Sequence, residues 1–254
     1  MDIVGNGFLA RNLRSLAGRH PDTVALAAGV SWASGTSDED FAREAALLRE
    51  VAERCQDTGR RLLFFSTAAT GMYGLAEGPG REDTPVTPCT PYGAHKLALE
   101  QLLHDSGAAH VILRLGHLVG PDQPEHQLLP TLVRQLREGR VRVHRGAARD
   151  LIDVGDVITV IDRLLAMDLR AETVNVASGF AVPVEDVVDH LARALGLEAR
   201  QEFVDTGVRQ HVISTEKLRA LVPQVAEMGF GPGYYRRILG DFTASVSSRT
   251  STHA

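Results

Sequence analysis

Residues 2–10 read Asp2-Ile3-Val4-Gly5-Asn6-Gly7-Phe8-Leu9-Ala10, and the fold turns on them. A short apolar run leads into two glycines one residue apart, and an amphipathic stretch, Phe8–Ala17, opens straight after. Glycine at the first position permits a tight strand-to-helix turn. Glycine at the second lets a pyrophosphate approach the backbone, and alanine at the third still allows helix and strand to pack closely. The helix start then offers unpaired N–H groups and a positive dipole end to phosphate. Gly5, Gly7, Phe8, Leu9 and Arg11 are the candidate cofactor-binding residues of this turn. An ordinary βα turn also favours glycine, so the motif needs support from the rest of the chain.

The order of elements supplies it. Short β-rich runs at Asp2–Gly5, Thr23–Ala28, Arg61–Ser66, His110–Leu115, Arg140–His144 and Thr173–Ala177 alternate with amphipathic stretches. Those stretches are Phe8–Ala17, Asp38–Asp57, Pro91–Asp105, Pro130–Arg137 and Val154–Met167, with further helices expected at Val184–Leu195 and Ser214–Val222. Such alternation predicts βαβ units and a parallel sheet. The expected fold class is α/β with a parallel, doubly wound sheet; the chain's family resemblance implies that the sheet is Rossmann-like and abridged, with a small C-terminal substrate lobe. One domain is expected over residues 1–242, with 1–115 mainly a dinucleotide-binding core and 116–242 mixing core and lobe. The Ser/Thr-rich stretch 243–254 is expected to be a flexible tail.

Composition narrows the partners. The 254 residues are 44% hydrophobic, enough to bury a core, and the net charge of −5 shows no basic excess of the kind nucleic-acid binders carry. Cys55 and Cys89 have no metal-ligand or CxxC spacing. No run approaches the roughly 20 apolar residues that cross a bilayer. The chain starts without a basic leader, and it reads as a cytoplasmic protein with a small-molecule substrate. Neither nucleic acid, membrane nor metal is expected as a partner, and a homodimer is allowed.

Two more segments carry chemistry. Phe64-Phe65-Ser66-Thr67-Ala68-Ala69 ends a predicted strand, which puts the Ser66 and Thr67 hydroxyls at the carboxyl edge of the sheet, where open α/β sheets bind ligands. Tyr92-Gly93-Ala94-His95-Lys96 starts a helix after Pro91, so Tyr92 and Lys96, at i and i+4, share one face. A cation there favours tyrosinate and draws the phenol pKa from about 10 toward neutrality, making Tyr92 a candidate general acid or base; an isolated YxxxK would more often be an interfacial tyrosine with a solvated lysine.

Glycine turn, strand-end hydroxyls and YxxxK in this order resemble the short-chain dehydrogenase/reductase superfamily, in its extended branch of nucleotide-sugar epimerase/dehydratase-like enzymes. Other segments extend the likeness over residues 2–240. Val24-Ala25-Leu26-Ala27-Ala28 is similar to the family strand on the nicotinamide side. Arg114-Leu115-Gly116-His117-Leu118-Val119-Gly120-Pro121 resembles the segment R-L-x-N-V-Y-G-P, and Arg149–Asp156 resembles R-D-F-I-H-V-x-D. Val174-Asn175-Val176-Ala177 resembles a later strand.

The resemblance implies that Tyr92 exchanges a proton with a substrate oxygen, that Lys96 holds the nicotinamide ribose and lowers the Tyr92 pKa, and that Thr67, ahead of Ser66, bonds the same oxygen. Ala27 and Ala28 would line the cofactor. His117, Arg149 and Arg209 would contact substrate, the arginines through a diphosphate. Either arginine could equally be a surface salt bridge.

The departures matter. Ala68-Ala69 replaces the Asp-Glu pair of dehydratases, which sets dehydration aside. His117 and Val119 stand for the usual Asn and Tyr. The likeness jumps from the first helix to a fourth-strand-like segment at Val24, so two strands and the ribose-reading carboxylate are missing. The cofactor is then NADP(H) or NAD(H), with a lean to NADP(H); Arg11 and Arg14 could serve a 2′-phosphate. The reading that follows is a ketoreductase or dehydrogenase acting on a sugar-nucleotide or similar secondary-metabolite carbonyl. A sugar-nucleotide epimerase is the alternative, and a non-catalytic dinucleotide sensor the alternative of another class.

Overall fold

Arg61–Thr67 (RLLFFST) and His110–Leu115 (HVILRL) are buried along their whole lengths, the mark of strands covered on both faces. They form the centre of a five-stranded sheet in the computed structural model, which describes residues 1–30, 36–69, 71–74, 78–205 and 212–252. In chain order the elements begin β1 (Asp2–Val4), α1 (Phe8–Leu13), β2 (Thr23–Leu26), α2 (Asp38–Thr58), β3 (Arg61–Thr67), α3 (Pro91–Ser106) and β4 (His110–Leu115). There follow β5 (His117–Val119), α4 (Leu128–Arg137), β6 (Arg140–His144), β7 (Ala148–Asp153), α5 (Val154–Leu165) and β8 (Glu172–Val176). The chain closes with β9 (Ala181–Pro183), α6 (Val184–Leu195), β10 (Arg200–Val204), α7 (Glu216–Leu221) and α8 (Tyr234–Thr252).

The main sheet has the order β1-β2-β3-β4-β8, every pair parallel. Each of its strands lies where the sequence predicts one. β1 is an edge strand paired directly with β2, Asp2 opposite Val24 and Val4 opposite Leu26. Among the described residues no strand pairs with β1 on its other side, in keeping with the jump of the likeness to Val24.

The direct pairing of β1 with β2 leaves a mark on the handedness. Leu13 and Leu16 pack with Ala25, Leu63, Phe65, Leu113 and the α5 residues Val157, Val160 and Ile161 on one face of the sheet. On the other face α2 and α3 supply Leu48, Val51, Leu99 and Leu103 against Val24, Leu26, Leu62, Phe64 and Ile112. The β1–α1–β2, β2–α2–β3 and β3–α3–β4 connections all step the same way across the sheet, yet α1 lies opposite α2 and α3. The first connection therefore has the opposite hand to the other two, against the strong right-handed rule for parallel crossovers. Pairing β1 directly with β2 while keeping α1 on its own face has this geometric consequence.

Beyond β4 a second apolar core gathers Leu129, Leu132 and Val133 of α4, Val141 and Val143 of β6, Val187 and Leu191 of α6, and Ile238 and Leu239 of α8. Two small sheets, β5-β7-β9 and β6-β10, run through this lobe. β6 alternates exposed Arg140, Arg142 and His144 with buried Val141 and Val143, a period of two that was legible in the sequence. β5, β7, β9 and β10 were not expected; β5 and β9 have three residues each and β7 (ARDLID) carries charges through its length.

Thr243, where the Ser/Thr-rich stretch begins, lies within α8. α8 runs through Thr252, anchored in the lobe by buried Leu239, Phe242 and Thr243. No helix of the described residues is long and apolar enough to cross a membrane.

Candidate active site

The carboxyl ends of the parallel strands gather the turn at Gly5–Gly7, the Ala27-Ala28 pair after β2, Thr67 at the end of β3 and Gly116-His117 after β4. Gly5 has φ +129°, and a Cβ there would collide with the Ala27 carbonyl, so only glycine lets the turn press onto the end of β2. Gly7 differs. A Cβ at Gly7 would meet nothing within 4 Å, and no side chain caps α1 there. The packing requires glycine at residue 5, whereas at residue 7 it leaves open space beside a helix start. That open cradle fits a pyrophosphate.

The other residues of the turn contribute backbone more than side chain. Phe8 is buried, with its ring against the backbone of Gly120, and Leu9 is half-buried against the core. Arg11 is exposed and bridges two carbonyls, donating to Asn6 (3.2 Å) and Asp122 (3.1 Å).

Helix α3 is seated by close backbone contact. The Thr90 side chain caps it by accepting the Gly93 N–H at 3.1 Å, and Pro91 fills its first turn. A Cβ at Gly93 would collide with the Gly71 carbonyl, and one at Gly71, where φ is +121°, would collide with Thr90 Oγ1. The middle glycine of Tyr92-Gly93-Ala94-His95-Lys96 therefore lets the start of α3 lie against the loop that leaves β3. This brings Tyr92 and Lys96 to the strand end that carries Thr67; the Lys96 Nζ lies 3.4 Å from the Phe65 carbonyl.

Lys96 is almost fully buried. Its Nζ donates to Glu44 Oε1 of α2 at 2.6 Å, and His95 Nε2 bonds the other carboxylate oxygen at 3.0 Å while its ring stacks on Phe41. Burial pushes the Glu44 pKa up, but the bonds from His95, Lys96 and the Val30 backbone outweigh it and hold the carboxyl below its ordinary range. Breaking such a pair on one side costs about 3–5 kcal/mol, because a buried charge is left uncompensated. The Tyr92 ring sits 5.8 Å from the Lys96 Nζ. Its hydroxyl pKa lies above the ordinary phenol value: burial raises it, Lys96 lowers it, and Glu44 raises it again. The expected depression toward neutrality is not found, because burial of the phenol, with Glu44 beside Lys96, outweighs the Lys96 charge.

The two strand-end hydroxyls part company. Ser66 donates to Glu100, which also accepts from Nε (3.0 Å) and Nη2 (2.7 Å) of Arg114. Arg114 Nη1 continues to the Tyr73 hydroxyl at 3.2 Å, and Tyr73 to Asn175. Ser66 thus belongs to a buried network that ties α3 to β3, β4 and β8. Thr67 Oγ1 accepts the Ala69 N–H at 3.0 Å, a bond that leaves its own proton for another acceptor. Of the two, Thr67 is the one that donates to no carboxylate among the described residues.

Among the substrate candidates, β5 pairs with β7 and draws His117 and Arg149 together. Burial, with the neighbouring Arg149 charge, pushes the His117 pKa down to about 3, so its imidazole is neutral. Arg149 is half-buried, donates to the Ala148 carbonyl at 2.8 Å, and has no ion-pair partner among the described residues. Burial lowers its pKa. A half-buried guanidinium without a carboxylate suits an incoming anion. Arg209 lies outside the described residues.

Glu44 is not among the candidate residues legible as motifs in the sequence. Its signal was nonetheless present: Glu44 stands on the same helical stripe as Leu48, Val51, Ala52 and Cys55, the buried residues of α2. A carboxylate on an apolar stripe needs a buried partner, and Lys96 is that partner.

Residues 9–177 match the NAD dependent epimerase/dehydratase family. Over 212 residues, 76% of this chain and 65% of its relative, the chain is 30% identical to the dTDP-6-deoxy-L-talose 4-dehydrogenase (NAD(P)(+)) of Kitasatospora kifunensis. Over 67 residues, 24% of this chain and 19% of the relative, it is 51% identical to the UDP-glucose 4-epimerase of Azospirillum brasilense. The chain thus spans less than two thirds of the length of these curated relatives. In fold it is similar to MoeE5 in complex with UDP-glucuronic acid and NAD, with TM-score 0.84, 21% identity, and coverage of 98% of this chain and 100% of the other. It is also similar to RMD from Pseudomonas aeruginosa complexed with NADPH, with TM-score 0.80, 21% identity, and coverage of 97% and 98%.

Proposed function

We infer from one premise, that the chain belongs to the NAD dependent epimerase/dehydratase family, that it moves hydride at a hydroxyl-bearing carbon of a nucleotide sugar. The observation that carries this reading is the joint seating of Thr67, Tyr92 and Lys96 at the carboxyl edge beside the Gly5–Gly7 cradle. A bound nicotinamide dinucleotide supplies the hydride acceptor and, in the return step, the hydride donor. Tyr92, once ionised to tyrosinate, would take the substrate hydroxyl proton in the oxidising direction, and its phenol would return that proton to the oxygen in the reducing direction. Thr67 holds that oxygen. Lys96 orients the nicotinamide ribose and bears on Tyr92, Ala27 and Ala28 line the cofactor, and Phe8 and Leu9 serve it through backbone N–H groups. Arg149 with neutral His117 takes the substrate diphosphate; Arg209 is assigned the same role by the resemblance alone.

Epimerisation ranks above net reduction, the reverse of their order in the sequence analysis. The epimerase among the relatives supports it, as does the set of a proton-exchanging tyrosine with no dehydratase acid–base pair at Ala68-Ala69. Net reduction of a keto sugar stands second, favoured by the proton that Tyr92 retains and by the talose 4-dehydrogenase. Either dinucleotide fits the cradle, with NADP(H) preferred by a small margin because Ala27-Ala28 offers no carboxylate to a ribose 2′-hydroxyl.

The test is to incubate the protein with UDP-glucose or a 4-keto sugar nucleotide and each dinucleotide, and to follow sugar stereochemistry and cofactor oxidation together. Isomer formation without net cofactor turnover supports the first reading, and stoichiometric NAD(P)H consumption the second. Tight dinucleotide binding with neither reaction, across a panel of sugar nucleotides, would return the sensor reading.

A further inference from the structure

Glu44 and Lys96 form a fully buried ion pair beside the one side chain that handles the proton. Their side chains are 3% and 4% exposed, and the 2.6 Å bond between them spans from α2 to α3. Room for the pair is built into the backbone: a Cβ on Gly29 would collide with Glu44 Oε1 and stand 3.1 Å from the Lys96 Nζ. The carboxylate is held from both sides, by Lys96 on one oxygen and His95 on the other, and α2 itself is pinned by a capping box between Ser37 and Asp40. Among the described residues, the charged groups that act on the Tyr92 hydroxyl are Lys96 from α3 and Glu44 from α2; β3 contributes hydroxyls but no charge at this end.

We propose that Glu44 is a positioning residue of this site: it fixes the Lys96 ammonium and balances its charge, and so sets how readily Tyr92 gives up its proton. A lysine facing the phenol alone would favour tyrosinate. With the carboxylate bonded to the same ammonium, the pair is close to neutral as seen from the ring, and the phenol form is the resting state. The resting site is thereby ready to donate a proton, and it acts as a base only as far as Glu44 allows. This inference rests on the Tyr92–Lys96 reading above, but its test needs neither substrate nor cofactor.

The experiment is a spectroscopic titration of tyrosinate absorbance, taken as the difference between each protein and the same protein carrying Tyr92→Phe. It is confined to the pH range in which circular dichroism reports a folded chain. In Glu44→Gln the Tyr92 midpoint falls by about one pH unit or more, the scale of a single close charge. In the double variant Glu44→Gln/Lys96→Met, which removes both charges, it returns to near the wild-type value. If Glu44→Gln does not fold, Lys96→Met alone leaves an unbalanced carboxylate, and its midpoint lies above that of the double variant. An unmoved midpoint in Glu44→Gln, a double variant as low as that single variant, or equal midpoints in Lys96→Met and the double variant overturns the proposal. Failure of the catalytic reading looks different: Tyr92→Phe then retains turnover while the titration still shifts.

Discussion

The two ends of the sheet's carboxyl edge are built by different means. At the β3–α3 end, side chains hold side chains: Lys96 by Glu44, Glu44 by His95, Ser66 by Glu100, and Glu100 by Arg114. At the β1 end the sheet stops, and the structure there is backbone shape, a positive-φ glycine after β1 pressed against the end of β2 and an open glycine at the start of α1. The lesson is that one site can be over-determined where a proton must be placed and spare where a ligand needs only room. Substitutions at the two ends should fail differently.

The largest expected effect tests the packed end. Tyr92→Phe keeps the ring and removes the exchangeable proton, so turnover should fall about 10²–10⁴-fold with melting temperature and dinucleotide affinity little changed. Near-normal turnover, measured on the substrate that the wild type accepts, would remove Tyr92 from the chemistry.

The next tests the spare end. Gly7→Val places its side chain in open space, so the fold should survive while calorimetric binding of NAD(H) and NADP(H) is lost. Gly5→Val, by contrast, meets the Ala27 carbonyl and should lower the melting temperature as well. Equal behaviour of the two variants would erase the distinction drawn between the glycines.

A smaller effect separates the neighbouring hydroxyls. Thr67→Val should reduce turnover by roughly two- to twelve-fold, the worth of one neutral hydrogen bond of about 0.5–1.5 kcal/mol. Ser66→Ala should leave turnover closer to wild type and show itself in stability, by about 1–3 kcal/mol, since Glu100 loses a buried partner. A reversal would put Ser66 at the substrate.

The smallest expected difference lies between cofactors. With no carboxylate at the end of β2 and no strand beyond β1, NADP(H) and NAD(H) affinities should agree within about tenfold, or 1.4 kcal/mol, with NADP(H) ahead. A preference of several hundredfold for either would mean that the adenosine end is read by groups other than those at the β2 terminus.

Much of this was legible in the residues alone. Periodicity and turn chemistry are local, so every strand of the main sheet, the span Val184–Leu195 of α6, and the glycine turn could be read along the chain. So could the jump from α1 to Val24, which the direct pairing of β1 with β2 matches. What only the tertiary structure decided depends on residues distant in sequence. Glu44 meets Lys96 across 52 positions, and burial of the Tyr92 phenol, with Glu44 beside Lys96, holds its pKa above the ordinary value that the YxxxK spacing alone would lower. Ser66 and Thr67 are adjacent in sequence but face opposite layers, one spent on Glu100 and one donating to no carboxylate among the described residues. α8 is a helix past Thr243 because the lobe core offers Leu239 and Phe242 a place to be buried, which no local Ser/Thr propensity could reveal. Local pattern determines which elements form and where the chain turns; the charge at a site is settled only when packing chooses each ion's neighbour, because in a buried setting one close partner outweighs the whole local sequence.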